Sequence, residues 1–426
     1  METPKRSFPK IAGTQRTLHA EDTLHRVHEA ARTLGVTRLA DITGLDHVGI
    51  PTYNAVVPAS ADAISVYTGK GLRPVDAKVG ALMEAIERQT ILRERLPLLE
   101  GTIAELRQTN AVLDPRDLKE KLCAGYSEKH PYSWILGTDL MSGCDILVPA
   151  KFAGYLWNEV PHPPCFEHST TDGMASGNIR EEAICQALCE LIERDAWTMA
   201  ELGAHLLPWA RRRVVDPRNA ENGPDDFEMF PCLDLEDDPV VELFNRAGLH
   251  PVLHDVTSDL GIPTIFAAIP DEMLPGFPMV HFGLGAHPDA RVAVRRALTE
   301  AAQSRCVDIQ GVREDIVPAG SAPTVINLHS RRIEKINRQQ WILGESKVRR
   351  RLSDIPSVVH DDIQMDVEHI LSRLKARGIG EVIVVDFTPP GAPFAVVRVI
   401  VPELETWSVC HGPLGRRALN FWRSHV

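Results

Sequence analysis

The spacing of apolar residues along the chain predicts helices separated by short strands. Apolar side chains recur at helical intervals in four segments, 15–35, 75–94, 179–203 and 289–309. Short apolar runs rich in β-branched residues predict strands over 63–67, 132–152, 250–256, 263–269, 279–284, 381–388 and 394–400. This alternation predicts a mixed α/β (α+β) fold in which helices pack on sheets.

No sharp change in composition marks a domain boundary. We therefore predict one intertwined domain over residues 1–426, with an N-terminal helical segment at about 15–60, a core at 61–315 and a C-terminal α/β segment at 316–426. Two polar stretches break the regular pattern and predict peripheral insertions, at 210–239 and 313–360.

Composition narrows the function classes. Apolar residues make up 44% of the chain and charged residues 24%, as in ordinary globular proteins, so a sizeable core is available. The formal net charge of −12 disfavours general nucleic-acid binding, which needs a basic surface. No stretch approaches the roughly 20 apolar residues of a membrane span, and we predict a cytoplasmic protein.

The eight cysteines are scattered and include no C-x-x-C pair, which argues against a zinc ribbon. Cys185 and Cys189 lie four positions apart on a predicted helix. They could form a redox or metal-binding pair, but the favoured interpretation is that they are small residues of the core.

Three segments share a pattern in which small residues precede a helix that carries acids. The first two align without gaps: TGKGLRPVDAKVGALMEAIER, which ends at Arg88, and ASGNIREEAICQALCELIER, which ends at Arg194. The third, HPDARVAVRRALTEAAQSR, has Glu300 and Gln303 where the second has two glutamates. The sequence therefore predicts internally repeated loop–helix units.

The two glutamate pairs indicate a metal site. Glu84 and Glu87 lie on one helix face, as do Glu190 and Glu193, because residues three positions apart are neighbours on a helix surface. Apolar flanking residues place each pair near the edge of the core, where carboxylates need cations. Two facing pairs would form an all-oxygen site suited to Mg²⁺. In the alternative interpretation each glutamate pairs with a neighbouring arginine, but the duplication favours metal.

The loops before these helices suggest phosphate binding. Gly69-Lys70-Gly71 offers backbone N–H groups and an ammonium ahead of a helix N-terminus, and Ser176-Gly177-Asn178 holds the same place before the second helix. P-loop and kinase signatures are absent. Asn178 could also serve simply as the helix N-cap.

As a set, these segments resemble the YcaO family. The resemblance rests on Gly69-Lys70-Gly71, Glu84-x-x-Glu87-Arg88, Ala175-Ser176-Gly177-Asn178 with Glu182, Glu190-x-x-Glu193-Arg194-Asp195 and Glu300-x-x-Gln303-x-Arg305. It covers about residues 15–315 and a short C-terminal segment around Pro402-Glu403-Leu404-Glu405. It implies a YcaO-type fold and ATP-dependent activation of a peptide backbone amide.

The resemblance also implies roles for individual residues. Mg²⁺ would be held by the four paired glutamates, and Glu182 would also help to position metal. Arg16 and Thr23, placed on the first predicted helix, resemble a family lysine and serine that reach the nucleotide. The full set of implied ATP contacts is Arg16, Thr23, Lys70, Glu84, Asn178, Glu182, Arg194, Gln303 and Arg305.

The family forms thioamides with a sulfide source, azolines from neighbouring side chains of a ribosomal precursor peptide, or macroamidines. The chain ends RRALNFWRSHV, without the Pro-x-Pro-x-Pro end of many azoline formers, and 35–51 looks like the branch that works with TfuA proteins. We therefore expect thioamide formation on a peptide or protein substrate with a TfuA-like partner, and a homodimer is compatible with this. Cys165 is a candidate sulfur carrier, and His162 and His168 are candidate acid/base or substrate contacts.

Two functions of other classes remain open at this point. A Mg²⁺-dependent hydrolase would use the carboxylates without ATP, and its loops would be structural. A non-catalytic docking subunit of a peptide-modifying complex would keep the fold without the chemistry, although the four intact glutamates disfavour it.

Overall fold

The computed structural model describes residues 7–157, 160–167, 169–206, 230–235, 238–274, 277–311, 346, 348–410 and 412–425. The helices in these ranges are α1 (Ala20–Thr33), α2 (Pro74–Arg93), α3 (Ile103–Leu106), α4 (Ala150–Ala153), α5 (Arg180–Glu201), α6 (Pro239–Arg246), α7 (Ala290–Gly311), α8 (Ile363–Ala376), α9 (Trp407–Cys410) and α10 (Arg416–His425). The strands are β1 (Arg38–Asp41), β2 (Thr52–Val56), β3 (Val66–Lys70), β4 (Leu99–Gly101), β5 (Ala111–Val112), β6 (Tyr132–Asp139), β7 (Asp145–Pro149), β8 (Met174–Gly177), β9 (Cys232–Asp234), β10 (Val252–Asp255), β11 (Thr264–Leu274), β12 (Phe277–Ala286), β13 (Arg349–Arg351), β14 (Ile383–Asp386) and β15 (Ala395–Ile400).

The strands form three sheets, and an edge strand of each leads into a long helix. The first sheet has the order β1-β2-β3, and β3 precedes α2. The second has the order β5-β7-β6-β14-β15-β8, with β4 beside β6, and β8 precedes α5. The third has the order β12-β11-β10-β9-β13, and β12 precedes α7. The three similar sequence segments therefore fall on three strand–helix connections, while their equivalence as repeated units stays a prediction.

Glycine and alanine allow the first of these helices to lie directly on its strand. A Cβ atom at Gly69 in β3 would overlap the backbone of Ala77 and Ala81 in α2, both of which are fully buried. Gly285 in β12 has the same relation to Ala293 and Ala297 in α7. This close approach fixes the depth at which acids on the helices stand relative to the sheets.

The long helices are buried because apolar side chains surround them. Ile86 of α2 packs in a core with Trp134 of β6, and both are fully buried. Leu188 and Ile192 of α5 pack against α8 and β15 in a second core. The second half of α5 therefore lies inside the protein.

The structure corrects the predicted start of the first helix. Helix α1 begins at Ala20, so Arg16 precedes the helix instead of lying on it. The segment before α1 is held by contacts with another part of the chain, because the backbone N–H and hydroxyl of Thr17 both donate to Glu182.

A second correction concerns the first glycine-rich loop. Gly69 and Lys70 belong to β3, where they pair with Tyr53 and Thr52 of β2, so only Gly71 remains in the connection to α2. The backbone N–H groups of this region are therefore partly used by the sheet, which weakens the phosphate-loop interpretation.

The predicted peripheral insertions fall largely outside the described residues. Their described ends belong to the third sheet, because β9 lies within 210–239 and pairs in parallel with β13, which lies within 313–360. Local sequence did not reveal this pairing, since the two strands are three residues long and far apart in the chain. Among the described helices, none is long and apolar enough to cross a membrane.

A candidate magnesium and nucleotide site

The structure brings together carboxylates from α2, α5 and α7. Glu87 of α2 is close enough to Glu190 of α5 for their charges to repel, and Glu193 of α5 has the same relation to Glu300 of α7. Glu84 also senses the charge of Glu300. These five glutamates, which we call the carboxylate cluster, join all three strand–helix connections.

Burial makes the ionised form of the four paired glutamates of α2 and α5 unfavourable in the protein without a bound cation. It raises the pKa of Glu84 to about 7 and that of Glu190 to about 7, despite the opposing effect of nearby basic groups. Burial and repulsion by Glu190 together raise the pKa of Glu87 well above its usual value. Burial also raises the pKa of Glu193, whose Oε2 atom is buried and has no hydrogen-bond partner among the described residues.

The donor set therefore fits a hard divalent cation. Carboxylate oxygens are the ligands that Mg²⁺ prefers, and a cation would favour the ionised form that burial disfavours. The unpartnered Oε2 of Glu193 supplies an oxygen that the protein itself leaves unused. We infer that the cluster can hold Mg²⁺, and the assignment of each glutamate as a ligand stays a prediction.

The alternative, in which each glutamate pairs with the neighbouring arginine, fails for α2 and holds in part for α5. Arg88 turns to Asp62, with Nε 2.9 Å from Oδ2, and stacks on Tyr155. Arg194 lies 3.3 Å from Glu193 and 3.4 Å from Glu190. One guanidinium is thus shared between two carboxylates of α5, while within the described ranges Glu84 and Glu87 form no ion pair with an arginine.

Lys70 and Gln303 tie the cluster to β3. The Lys70 ammonium is 2.7 Å from Glu300 Oε2, and the Gln303 side chain donates to the carbonyl of Thr68 at 2.6 Å. The N–H of Thr68 donates in turn to Glu84 at 3.1 Å. These contacts place an ammonium and an amide beside the carboxylates, where a bound polyphosphate would need donors.

Asn178 and Glu182 form a second polar group, at the start of α5. The N-cap residue is Ile179, and Asn178 instead donates from its backbone and side chain to Glu182 Oε2, at 2.9 and 3.1 Å, so the N-cap interpretation is wrong. Fully buried Glu182 also accepts from Thr17 and lies 3.8 Å from Arg16. Asn178 Oδ1 is buried without a partner among the residues that the structure describes, and it can act as an oxygen ligand.

Two other predicted ATP contacts are engaged elsewhere. Buried Arg305 forms an ion pair with Asp46, which ties α7 to the turn after β1. Buried Thr23 donates its hydroxyl to the carbonyl of His19 within α1 at 3.1 Å. Neither contact supports a nucleotide role in this conformation, and both roles stay predictions.

The candidate sulfur and acid/base groups are less well supported. Burial raises the pKa of Cys165 to about 12, so its thiol is a poor nucleophile or sulfur carrier. His162 lies 3.4 Å from Glu100, and His168 lies outside the described residues.

Cys185 and Cys189 are fully buried in the core around α5, as the favoured interpretation expects. The Cys185 sulfur lies within 4.8 Å of ligand atoms of His287 and Asp366. However, His287 Nδ1 accepts from the N–H of Asp289, which places the proton of a neutral ring on Nε2, and Asp366 is paired with Lys10. We therefore do not assign a metal to this group.

Sequence reasoning missed two acidic residues around the cluster. Asp172 lies 3.6 Å from Arg194, and Asp62 holds Arg88. The Asp-Gly pair at 172–173 was the signal in the sequence that could have marked Asp172, because such a pair indicates a tight turn. In the structure Gly173 has a φ of +77°, and a Cβ atom there would overlap the carbonyl of Val399. No spacing or motif marked Asp62.

A partly buried carboxylate cluster with an adjacent lysine and arginine is typical of enzymes that bind a divalent cation together with a polyphosphate. Residues 68–405 match the family described as YcaO cyclodehydratase, ATP- and Mg²⁺-binding, and the chain belongs to the YcaO family. Its cofactors are therefore ATP and Mg²⁺. The description of the family also names cyclodehydratase activity.

Three similar proteins support this assignment. An uncharacterized protein of Methanothermobacter thermautotrophicus is 35% identical over 93% of this chain and 96% of its own length. An uncharacterized protein in the tfuA 3′ region of Rhizobium leguminosarum bv. trifolii is 34% identical over 95% of this chain and 92% of its own. The structure of YcaO from Methanopyrus kandleri bound with AMPPCP and Mg²⁺ shares the fold, with a TM-score of 0.71 and 23% identity over 96% of this chain and 99% of that one.

Proposed function

We propose that this protein uses ATP and Mg²⁺ to phosphorylate the oxygen of a peptide backbone amide, and that hydrosulfide then replaces this oxygen to give a thioamide. The carboxylate cluster is the observation that carries the ATP-dependent step. Its buried glutamates fit a divalent cation, and Lys70 and Arg194 lie beside them.

The chemistry requires activation because an amide oxygen is a poor nucleophile and a worse leaving group. In the proposed reaction the amide oxygen attacks the γ-phosphorus of ATP, and ADP leaves. Hydrosulfide then attacks the amide carbon, the C–O bond breaks, phosphate departs with the oxygen, and the sulfur loses its proton. Bound Mg²⁺ would supply neutralisation of the negative charge on the phosphates.

The residues of the chain have separate tasks in this scheme. Glu84, Glu87, Glu190 and Glu193 would hold Mg²⁺. Lys70, once released from Glu300, and Arg194 would donate to phosphate oxygens. Asn178 and Glu182 join the N-terminal segment to the start of α5. This contact would hold the N-terminal segment at a fixed position relative to the carboxylate cluster.

Two observations favour sulfur as the nucleophile: the genomic position of one relative and the pKa of one cysteine of this chain. A relative that matches nearly the whole chain lies in a tfuA 3′ region, which favours a TfuA-like partner that supplies or delivers sulfide. The pKa of Cys165 is raised to about 12, which favours an external sulfur source over this cysteine. Azoline formation is the second candidate, because the family description names cyclodehydratases.

The test combines the chain, a TfuA-like partner, acceptor peptides, ATP, Mg²⁺ and sodium sulfide, with products read by mass spectrometry. We expect one oxygen to be exchanged for sulfur, whereas loss of one water would identify an azoline former. If the acceptor amide is labelled with ¹⁸O, the released phosphate should carry the label.

Glu190→Gln should abolish product formation, and Glu181→Gln, on the same helix but outside the cluster, serves as the matched control. Unlabelled phosphate together with thioamide would refute amide phosphorylation. Absence of ATP binding would instead favour a docking subunit.

A further inference from the structure

A small cavity lies beside the carboxylate cluster. Its volume is about 30 Å³, and the residues that line it include Glu120, Phe152, Thr170, Asp172, Leu191 and Arg398. Leu191 follows Glu190 in α5, and Asp172 Oδ1 is 3.6 Å from Nε of Arg194, which also contacts Glu190. One arginine therefore separates the cavity from the carboxylates that we assign to Mg²⁺.

Four polar atoms of residues that line the cavity are buried and have no hydrogen-bond partner in the described part of the chain. They are Nε and Nη2 of Arg398, Oδ2 of Asp172 and Oγ1 of Thr170. Arg398 is fully buried, and its other edge is already fixed, because Nη1 donates to the carbonyl of Phe152 at 2.6 Å while the guanidinium lies over the Phe152 ring. The free edge of the guanidinium thus presents two parallel donors.

Unpartnered buried donors and acceptors on one cavity indicate a ligand that satisfies them. The two donors of Arg398 require an acceptor, most favourably an anion, and Asp172 Oδ2 requires a donor. A water needs about 10–15 Å³ of such space, so a cavity of about 30 Å³ has room for one small ion.

We propose that this cavity binds hydrosulfide, with its sulfur accepting from Nε and Nη2 of Arg398 and its S–H donating to Asp172. The proposal rests on the proposed function, in which hydrosulfide is the nucleophile. Thr170 adds a hydroxyl donor to the sulfur. The cavity would hold the sulfur next to the cluster where the activated amide forms, which raises its local concentration.

The charges around the cavity have both signs, because Arg398 and Lys119 stand opposite the carboxyl groups of Asp172 and Glu120. Burial lowers the pKa of Arg398 to about 10, and this group remains a cation at neutral pH. Burial raises the pKa of Glu120 to about 7, so its opposing charge is only partial near neutrality. Lys119 also lines the cavity and adds a second cation.

The first experiment is a direct one. Crystals of the protein soaked in sodium hydroselenide, a heavier analogue of hydrosulfide, should show an anomalous selenium peak within hydrogen-bond distance of Arg398 Nε. Soaking in excess sodium hydrosulfide should remove this peak. A cavity without selenium, in crystals that remain intact, would overturn the proposal.

The second experiment uses two substitutions. Thr170→Val should raise the KM for hydrosulfide about three- to tenfold, and Arg398→Lys about 10- to 100-fold, with the KM for ATP and the kcat at saturating sulfide unchanged. Thr90→Val is the matched control, because Thr90 also carries a buried hydroxyl without a partner but does not line the cavity. An equal change in Thr90→Val, or a change in kcat alone, would refute a binding role.

The two proposals can fail separately. A selenium peak in a protein that makes azolines would keep the anion site and refute thioamide formation. Thioamide formation without a peak would keep the function and refute the site. If Arg398→Lys melts at a much lower temperature than the parent, Thr170→Val and the parent crystals still decide the question.

Discussion

Replacement of Glu190 by Gln should stabilise the metal-free protein while it removes the response to Mg²⁺. The Glu190 side chain is 20% exposed, and burial raises its pKa from 4.5 to about 7 although Arg194 is 3.4 Å away. At 1.36 kcal/mol per pKa unit, the ionised form costs about 3 kcal/mol above pH 7, or about 2–3 kcal/mol after allowance for the exposed fraction. Gln has nearly the same shape and no charge.

The direction of the pKa shift decides how the stability of the metal-free protein changes with pH. The folded protein binds more protons at Glu190 than the unfolded chain does between pH 4.5 and about 7. Stability of the metal-free protein therefore falls as pH rises through this window, and the full cost is present above it. An unfolding entropy of about 2.1 cal/mol/K per residue converts 2–3 kcal/mol to a rise in Tm of about 2–3 °C for a chain of 426 residues.

The assay is thermal unfolding of the parent and Glu190→Gln at about pH 8 and about pH 5, with and without Mg²⁺ and ATP. The variant should melt higher than the metal-free parent at the higher pH, show a much smaller difference at the lower pH, and gain little from Mg²⁺ and ATP. Glu181→Gln controls for the loss of a carboxylate on the same helix. A lower Tm for metal-free Glu190→Gln at the higher pH would refute the reasoning, because it would mean that the ion pair with Arg194 outweighs burial.

Three further predictions concern the cluster, the strand–helix packing and the C-terminal helix. Mg²⁺ binding should release protons and should strengthen between about pH 6 and about pH 8, because carboxylates with a pKa near 7 must ionise to bind the ion. Calorimetry in buffers of different ionisation enthalpy measures this release, and binding without proton release would contradict the prediction. Gly69→Ala should lower the free energy of unfolding in urea by about 3 kcal/mol or more, because the new Cβ overlaps the backbone of Ala81. Gly44→Ala is the control: its new Cβ meets nothing within 4 Å, so the urea midpoint should stay almost unchanged. Arg417→Met should lower the free energy of unfolding by about 3–5 kcal/mol, because it leaves the buried Asp195 carboxylate without its two hydrogen bonds from Arg417. These bonds, at 3.0 and 2.8 Å, hold α10 to α5. An unchanged urea midpoint would contradict this prediction.

The sequence was informative where spacing alone constrains the chemistry. The separation of three positions within each glutamate pair could be read directly, and both pairs lie on long helices in the structure. The interpretation of Gly69 and Lys70 as loop residues was wrong because strand pairing with Thr52 and Tyr53 is a contact between distant segments. The N-cap role for Asn178 failed for a related reason, since the side chain pairs with Glu182 one turn ahead.

Some determinants of the site leave no local pattern. The cavity beside the cluster depends on Arg398, which stands in an apolar strand and resembles an ordinary edge residue in the sequence. Thr170 and Asp172, which line the same cavity, come from a loop more than two hundred positions earlier. No period or motif connects them, because the packing of β15 beside β8 is what brings them together.

By itself the sequence determined the identity of the long helices, the acids they carry and the family to which the chain belongs, since helix periodicity and short motifs are local properties. Only the tertiary structure decided that the acids of three helices meet, that Arg88 turns to Asp62 while Arg194 stays with the glutamates, and that buried carboxylates outnumber the cations beside them. The physical reason is that burial and charge balance depend on which distant segments pack together, and here close strand–helix contacts bring the helices of three sheets to one point.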